Sequence, residues 1–129
     1  MYKRQVLEIQ SKITWADEVI ICFPVWWAQV PAILKNFLDR NLTSGFAFQY
    51  TKDGFRKLLK GKDARIFATA DGPWWMYKIM DWFYTFMWRY IILGYCGMNV
   101  KTVDIFPEMY KKKNDKDREK ILKKIEKMV

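Results

Sequence analysis

The chain has 129 residues, enough for one domain and too few for two comfortable ones. It is 51% hydrophobic and 18% aromatic, so a real core is within reach, and 23 basic against 14 acidic residues leave a net charge of +9 with no histidine. Without histidine, Ser-His and Cys-His couples are excluded, and the two cysteines fit neither a disulfide framework nor a metal site.

Met1-Tyr2-Lys3-Arg4-Gln5 join no hydrophobic pattern and resemble a translated sequencing-adapter scar, so residues 1–5 are expected to be non-native. Val6, Ile9 and Ile13 then recur at helical spacing, which predicts the end of a helix over about Val6 to Thr14. Glu18 to Phe23 reads as a buried strand, a short apolar run with β-branched residues, and Pro24 ends it. Cys22 in this run and Cys96 further on are expected to be buried, reduced thiols.

Pro31 suits the first turn of the helix that follows, where a missing N–H does no harm. Ile33, Leu34, Phe37 and Leu38 form its apolar face, opposite Lys35, Asn36, Asp39 and Arg40, and Thr43-Ser44-Gly45 stops it. Gly45 to Gly61 reads as a long connection whose aromatic residues pack down on something. Asp63 to Thr69 is a second strand, closed by the turn signal Ala70-Asp71-Gly72-Pro73.

Trp74 to Tyr95 reads as one helix, apolar nearly all round and so buried on several sides. It is also the best membrane candidate, but Lys78, Asp81 and Arg89 would each cost about 2.5–3.5 kcal/mol at mid-bilayer. A greasy helix in a soluble, cytoplasmic protein is the reading, and membrane association is not expected. Asn99 to Phe106 is a third strand. Asn114 is a candidate N-cap for a last helix with Ile121, Leu122, Ile125 and Met128 on its apolar face. From Lys111 to Val129 there are nine basic and four acidic residues. With no helix-turn-helix, RNP or zinc-finger pattern beside it, this run reads as a solvated helix face, and no nucleic-acid partner is expected.

Helices alternating with strands argue for a parallel sheet with helices on its faces. Ligands in such folds sit outside the carboxyl ends of the strands. Two stretches fall there, Pro24 to Val30 and Thr69 to Tyr77, both rich in aromatics, turn residues and backbone N–H groups. They suit a planar, hydrogen-bonding cofactor; Trp26, Trp27, Trp74 and Trp75 could equally fill a core or an interface. No GxxxxGK[ST] or GxGxxG loop is present, which leaves chemistry carried by a cofactor that the protein binds and orients.

The run WADEVIICFPVWWAQVPAILKNFLDR resembles the flavodoxin-like NAD(P)H:quinone oxidoreductases. Gly45-Phe46-Ala47-Phe48, Leu58-Leu59-Lys60-Gly61-Lys62, Thr69 to Trp74 and Leu93 to Met98 continue the likeness in the right order. The resemblance implies a three-layer α/β flavodoxin-like fold, bound FMN or FAD, reduction by NADH or NADPH, a quinone-like acceptor and a homodimer. It implies that Pro24, Val25, Trp26 and Trp27 lie against the flavin ring, and that Thr69, Ala70, Asp71 and Gly72 hydrogen-bond the ring edge. Tyr77 matches an active-site tyrosine of some members.

The family's Thr-Thr-Gly-Gly is Thr-Ala-Asp-Gly here, and a histidine of some members is apolar near Phe83. Proton supply then falls to Tyr77, water or the backbone. The three strands match the third, fourth and fifth of the fold. The first βαβ unit, with its phosphate-binding loop, is expected to be missing, so that residues 6–129 form a partial flavin-binding domain that binds flavin weakly or not at all, with Glu18 to Phe23 on an open sheet edge. A non-catalytic ancillary subunit, docked on a membrane transport protein, is the alternative role.

Overall fold

The computed structural model describes residues 2–111 and 114–129; Met1 of the segment expected to be non-native, and Lys112 and Lys113 of the basic run, lie outside them. Helix α1 (Tyr2–Trp15) leads into strand β1 (Glu18–Pro24). Helix α2 (Ala32–Asn41) follows, then the short strands β2 (Phe48–Thr51) and β3 (Gly54–Lys57), and strand β4 (Asp63–Thr69). Helix α3 (Trp74–Phe86) runs through a π-helical turn, Met87–Ile92, into the short helix α4 (Leu93–Cys96). Strand β5 (Asn99–Phe106) and helix α5 (Asp115–Glu126) complete the order.

The parallel sheet runs β1-β4-β5, in register from Glu18↔Asp63 to Pro24↔Thr69 and from Asp63↔Asn99 to Thr69↔Phe106, with a bulge between Ala64 and Arg65. Central β4 is buried over most of its length because both its edges and both its faces are covered. β1 lies at the edge, as expected. One face of the sheet, with Ile21, Phe23, Ala64, Ile66, Ala68 and Val100, packs into the core against Leu38, Tyr77, Tyr84 and Trp88. On the other face, α5 lies across an apolar cleft of about 540 Å³ between Ile121, Leu122 and Ile125 and the strand residues Cys22, Phe67 and Phe106. Arg65 fastens this end: its Nε donates to Glu18 at 2.7 Å, and its Nη1 donates to the Met128 carbonyl. Asn114 caps α5 as expected, its side chain accepting from the Asp117 N–H at 2.9 Å.

Several expectations need correcting. Helix α1 begins at Tyr2 rather than near Val6, because Lys3, Arg4 and Gln5 are good helix formers and extend it without joining its apolar face. Cys22 is exposed: it alternates with the buried Ile21 and Phe23 and so points to the opposite face of the edge strand, into the loosely filled cleft under α5, while Cys96 is buried. The long connection contains the β2–β3 hairpin, turned at Lys52-Asp53. Its rings pack against Tyr95, Phe55 tilted at 4.5 Å and Phe48 edge-on at 5.3 Å between centroids, and the Tyr50 and Tyr95 hydroxyls are hydrogen-bonded.

The helix from Trp74 is neither uniform nor buried on several sides. Tyr77, Tyr84 and Trp88 form its buried face, whereas Trp75, Ile79, Trp82, Phe83, Phe86 and Tyr90 are exposed along its outer side. The sheet covers only one side of α3, so an all-apolar sequence leaves an apolar outer stripe. The π turn has a local cause. A Cβ on Gly94 would sit 1.5 Å from the Arg89 carbonyl oxygen, so only glycine lets the bulged backbone pass. Among the described residues, no helix is long and apolar enough to cross a membrane.

Candidate functional site

Pairing Pro24 with Thr69 brings the exits of β1 and β4 side by side, and the Val25 N–H donates to the Thr69 carbonyl at 2.7 Å. The two stretches singled out in the sequence therefore meet at one end of the sheet, the carboxyl end. The first makes a tight turn. Trp26 and Gln29 exchange backbone bonds of 3.0 and 2.8 Å, with Trp27 and Ala28 between them at φ 52° and 56°. Trp26 is 60% and Trp27 98% exposed.

The second stretch is tied to the exit of β5. Ala70 N–H donates to Phe106 at 2.9 Å, Met109 N–H to Ala70 at 3.0 Å and Glu108 N–H to Gly72 at 3.2 Å. Pro73 then opens α3 and aims Trp74 and Trp75 outward, both exposed, while Tyr77 turns in. The Tyr77 ring lies on Gly72, where a Cβ would meet its Cε2 at 2.8 Å and its hydroxyl at 3.3 Å. Burial, and then the neighbouring Asp71 carboxylate, push the Tyr77 phenol above its ordinary value. Behind it, burial and the proximity of Tyr77 push Tyr84 up to about 12. Both phenols hold their protons across the physiological range. A small cleft of about 300 Å³ beside Tyr77 is lined by Trp74, Lys78, Asp81, Ile105 and Pro107.

The expected site residues divide into two sets. Pro24, Trp26, Trp27, Thr69, Asp71 and Gly72 stand at or near the surface of the carboxyl end. Val25 and Ala70 are buried in the core, and their backbone N–H groups donate to the Thr69 and Phe106 carbonyls. Tyr77 sits beneath the loop rather than on it. The left-handed Ala28 was not singled out in the sequence, and neither Trp nor Ala carries a signal for that backbone.

The donor set suits a flavin ring. The N–H groups of Trp27, Ala28, Asp71 and Gly72 donate to no backbone carbonyl among the described residues. With the Thr69 hydroxyl they could meet the carbonyl and ring-nitrogen acceptors of an isoalloxazine edge, and the Asp71 carboxylate could accept its one ring N–H. Trp26 and Trp27 offer flat apolar surface beside that edge. Among the described residues, no group of three or more His, Cys, Asp and Glu side chains could hold a metal ion.

The family model described as "Flavodoxin-like fold" matches residues 2–129. The chain belongs to this family. It is 39% identical over 112 residues to ribosyldihydronicotinamide dehydrogenase [quinone] of Mus musculus, covering 77% of this chain and 47% of that one. It is 33% identical over 100 residues to FMN-dependent NADH:quinone oxidoreductase 2 of Clostridium acetobutylicum, covering 72% and 46%. Among solved structures, Smu.1420 from Streptococcus mutans UA159 superposes with a TM-score of 0.78 at 33% identity, over 96% of this chain and 65% of that one. The chain spans about half the length of the curated relatives it matches.

Proposed function

We propose that this chain is the carboxyl-terminal part of a cytoplasmic, flavin-dependent NAD(P)H oxidoreductase that passes hydride through FMN or FAD to quinones or similar acceptors. The observation that carries this reading is the pair of Asp71 and Gly72 amides, without a backbone acceptor among the described residues, set beside the exposed indoles of Trp26 and Trp27 at one end of a parallel sheet. The similarity to proteins named as quinone dehydrogenases and as an FMN-dependent quinone oxidoreductase supports it.

A bound flavin supplies the hydride chemistry; this chain's residues hold and orient it. Trp26 and Trp27 wall the ring, and the Thr69–Gly72 backbone and side chains bond its edge. Tyr77 holds a proton on its hydroxyl under that loop, a proton the missing histidine cannot supply. A homodimer would cover the outer stripe of α3 from Trp75 to Tyr90, six large apolar side chains that nothing in the described chain buries.

The test is a titration of the purified chain with FMN and with FAD, followed by oxidation of NADH and NADPH with a quinone present. Weak binding by this chain and tight binding after an upstream strand-helix-strand unit is restored support both the enzyme and the partial domain. A monodisperse, yellow product that already oxidises NADPH keeps the enzyme and removes the partial domain. No flavin binding by either form removes the enzyme reading. The second reading, an ancillary subunit docked on a membrane transport protein, draws on the net charge of +9. Co-sedimentation with membranes that fades as salt rises would favour it.

A further inference from the structure

Helix α2 carries a residue that its own pattern does not call for. Leu34 and Leu38 turn toward the core, and position 41 continues the same stripe. Asn41 stands there at 5% exposure, the only amide or charged side chain shut inside the fold among the described residues. Its Nδ2 donates to the Phe37 carbonyl at 2.7 Å, and its own carbonyl accepts from Gln10 Nε2 of α1 at 3.0 Å. Its Oδ1 is closed off from solvent and accepts from no group among the described residues. A buried acceptor left unmatched opposes folding, whereas an apolar side chain at this position would not.

Asn41 lines a groove of about 370 Å³ between α1 and α2, which shares no lining residue with the site at the exits of β1 and β4. Three features of the groove define what it can hold. Val6 and Ile9 of α1 and Ile33 and Phe37 of α2 are apolar walls, and Phe37 offers a flat face, so the body of a ligand is apolar and suits a ring. Glu8 and Arg40 line it with opposite charges, so an anion or a cation would meet a group of its own sign. The Asn41 Nδ2 and backbone carbonyl are engaged, so the unmatched atom is an acceptor and the ligand must bring a donor. A hydroxyl brings a single donor, whereas an amine or primary amide brings further polar hydrogens that apolar walls leave unmatched.

We propose that this groove is a binding site for a small, neutral hydroxyaromatic molecule. Its ring lies among Val6, Ile9, Ile33 and Phe37, and its O–H wedges between α1 and α2 to donate to Asn41 Oδ1. Hydroquinones belong to that class; quinones, which carry only acceptors, do not. On the enzyme reading above, the groove takes the reduced product and not the acceptor. That consequence rests on the enzyme reading, and the binding itself does not.

The experiment titrates the full chain, without flavin or nicotinamide, with phenol and with anisole, which keeps the ring and lacks the donor. Two-dimensional NMR follows the Asn41 side-chain amide and the Ile9 and Ile33 methyl groups. Phenol is expected to shift all three and to bind about tenfold more tightly than anisole. Hydroquinone, kept reduced with ascorbate, should follow phenol. Asn41→Leu replaces the acceptor at similar volume and should bring the affinities for phenol and anisole within about twofold of each other. Ile33→Ala, at an exposed position, removes part of the apolar wall and should weaken both probes alike. The proposal is overturned by equal affinities of the parent for the two probes, by a phenol preference that survives Asn41→Leu, by shifts confined to the cleft under α5, or by no binding at all. None of those outcomes touches the flavin reading. A chain that binds phenol here but no flavin, with or without its upstream unit, keeps the site and loses only the link to a hydroquinone product.

Discussion

The Tyr77 ring rests directly on Gly72, close enough that a Cβ there would stand 2.8 Å from the ring edge. Gly72→Ala would also press on the Met76 methyl at 2.7 Å. Met76 can swing its flexible end away, but the Tyr77 ring, buried under the loop, must shift with the helix start that carries it. We expect a loss of about 1–3 kcal/mol by chemical denaturation, as for overpacking elsewhere. Tyr77→Phe keeps the ring and should cost under about 1 kcal/mol. If Gly72→Ala proves neutral, the loop is not seated on Tyr77.

Alkaline pH should weaken the fold through the buried phenols of Tyr77 and Tyr84. Tyr84 is raised from 10.0 to about 12, and Tyr77 is raised as well, so the folded state binds these protons more tightly than the unfolded chain does. The unfolded state then releases protons first, and stability falls as pH rises from the unfolded value through the folded one. Cys96, raised by burial from 9.0 to about 11, acts in the same direction in a slightly lower window. The melting temperature should hold steady up to about pH 9 and drop between about pH 10 and 12. Tyr84→Phe should flatten that drop. Its hydroxyl is buried with no hydrogen-bond partner among the described residues, so the same substitution at neutral pH should be neutral or stabilising by up to about 1 kcal/mol.

How far the sequence discloses this molecule depends on the kind of signal each part carries. β1, β4 and β5 fall within a residue of their expected bounds, because a short β-branched run ended by a turn signal has few other readings. The β2–β3 hairpin was legible only in Asp53-Gly54 and was lost among scattered aromatics, since four residues of alternation are too few to stand out. The uniformly apolar run from Trp74 has no period to show which side faces water, so its open outer stripe could not be read. At the site, composition pointed to Trp26, Trp27 and the Asp71-Gly72 turn. The left-handed Trp27-Ala28 backbone was hidden because those residue types normally avoid it.

The last helix should be sensitive to its cap. Asn114 accepts the Asp117 N–H at 2.9 Å, satisfying one of the otherwise unpaired donors of the first turn of α5. Asn114→Ala should cost about 1 kcal/mol, and Asn114→Asp should retain most of the stability. α5 crosses Phe67 and Phe106 over a loosely filled cleft, so fraying its start should expose that face to hydrogen exchange before the rest of the sheet. Unchanged exchange in α5 on Asn114→Ala would mean that the ion pair between Lys124 and Asp104 and the Arg65 bond to Met128 hold the helix without the cap.

Gly94 should be the least replaceable glycine of the chain. Its absent side chain makes room for the Arg89 carbonyl, displaced by the π turn, at a point where a Cβ would lie 1.5 Å from the oxygen and 2.5 Å from the carbonyl carbon. Backbone atoms cannot rotate aside as a methionine tip can, so Gly94→Ala must undo the π turn itself. That turn carries Trp88, fully buried against Phe23 with ring centroids 5.7 Å apart, and Phe23 precedes the Pro24–Trp27 segment. Removing the bulge would rotate Trp88 out of register with the sheet, so the penalty should exceed about 4 kcal/mol, beyond the usual range for a single substitution. Gly45→Ala is the matched control. It lies at φ 86° with nothing within 4 Å of an added Cβ, so only backbone strain of about 1 kcal/mol applies. Soluble expression and denaturant midpoints of the two variants give the comparison. Equal losses at both positions would show that the π turn can rearrange at little cost, and that Gly94 is present only for its backbone freedom.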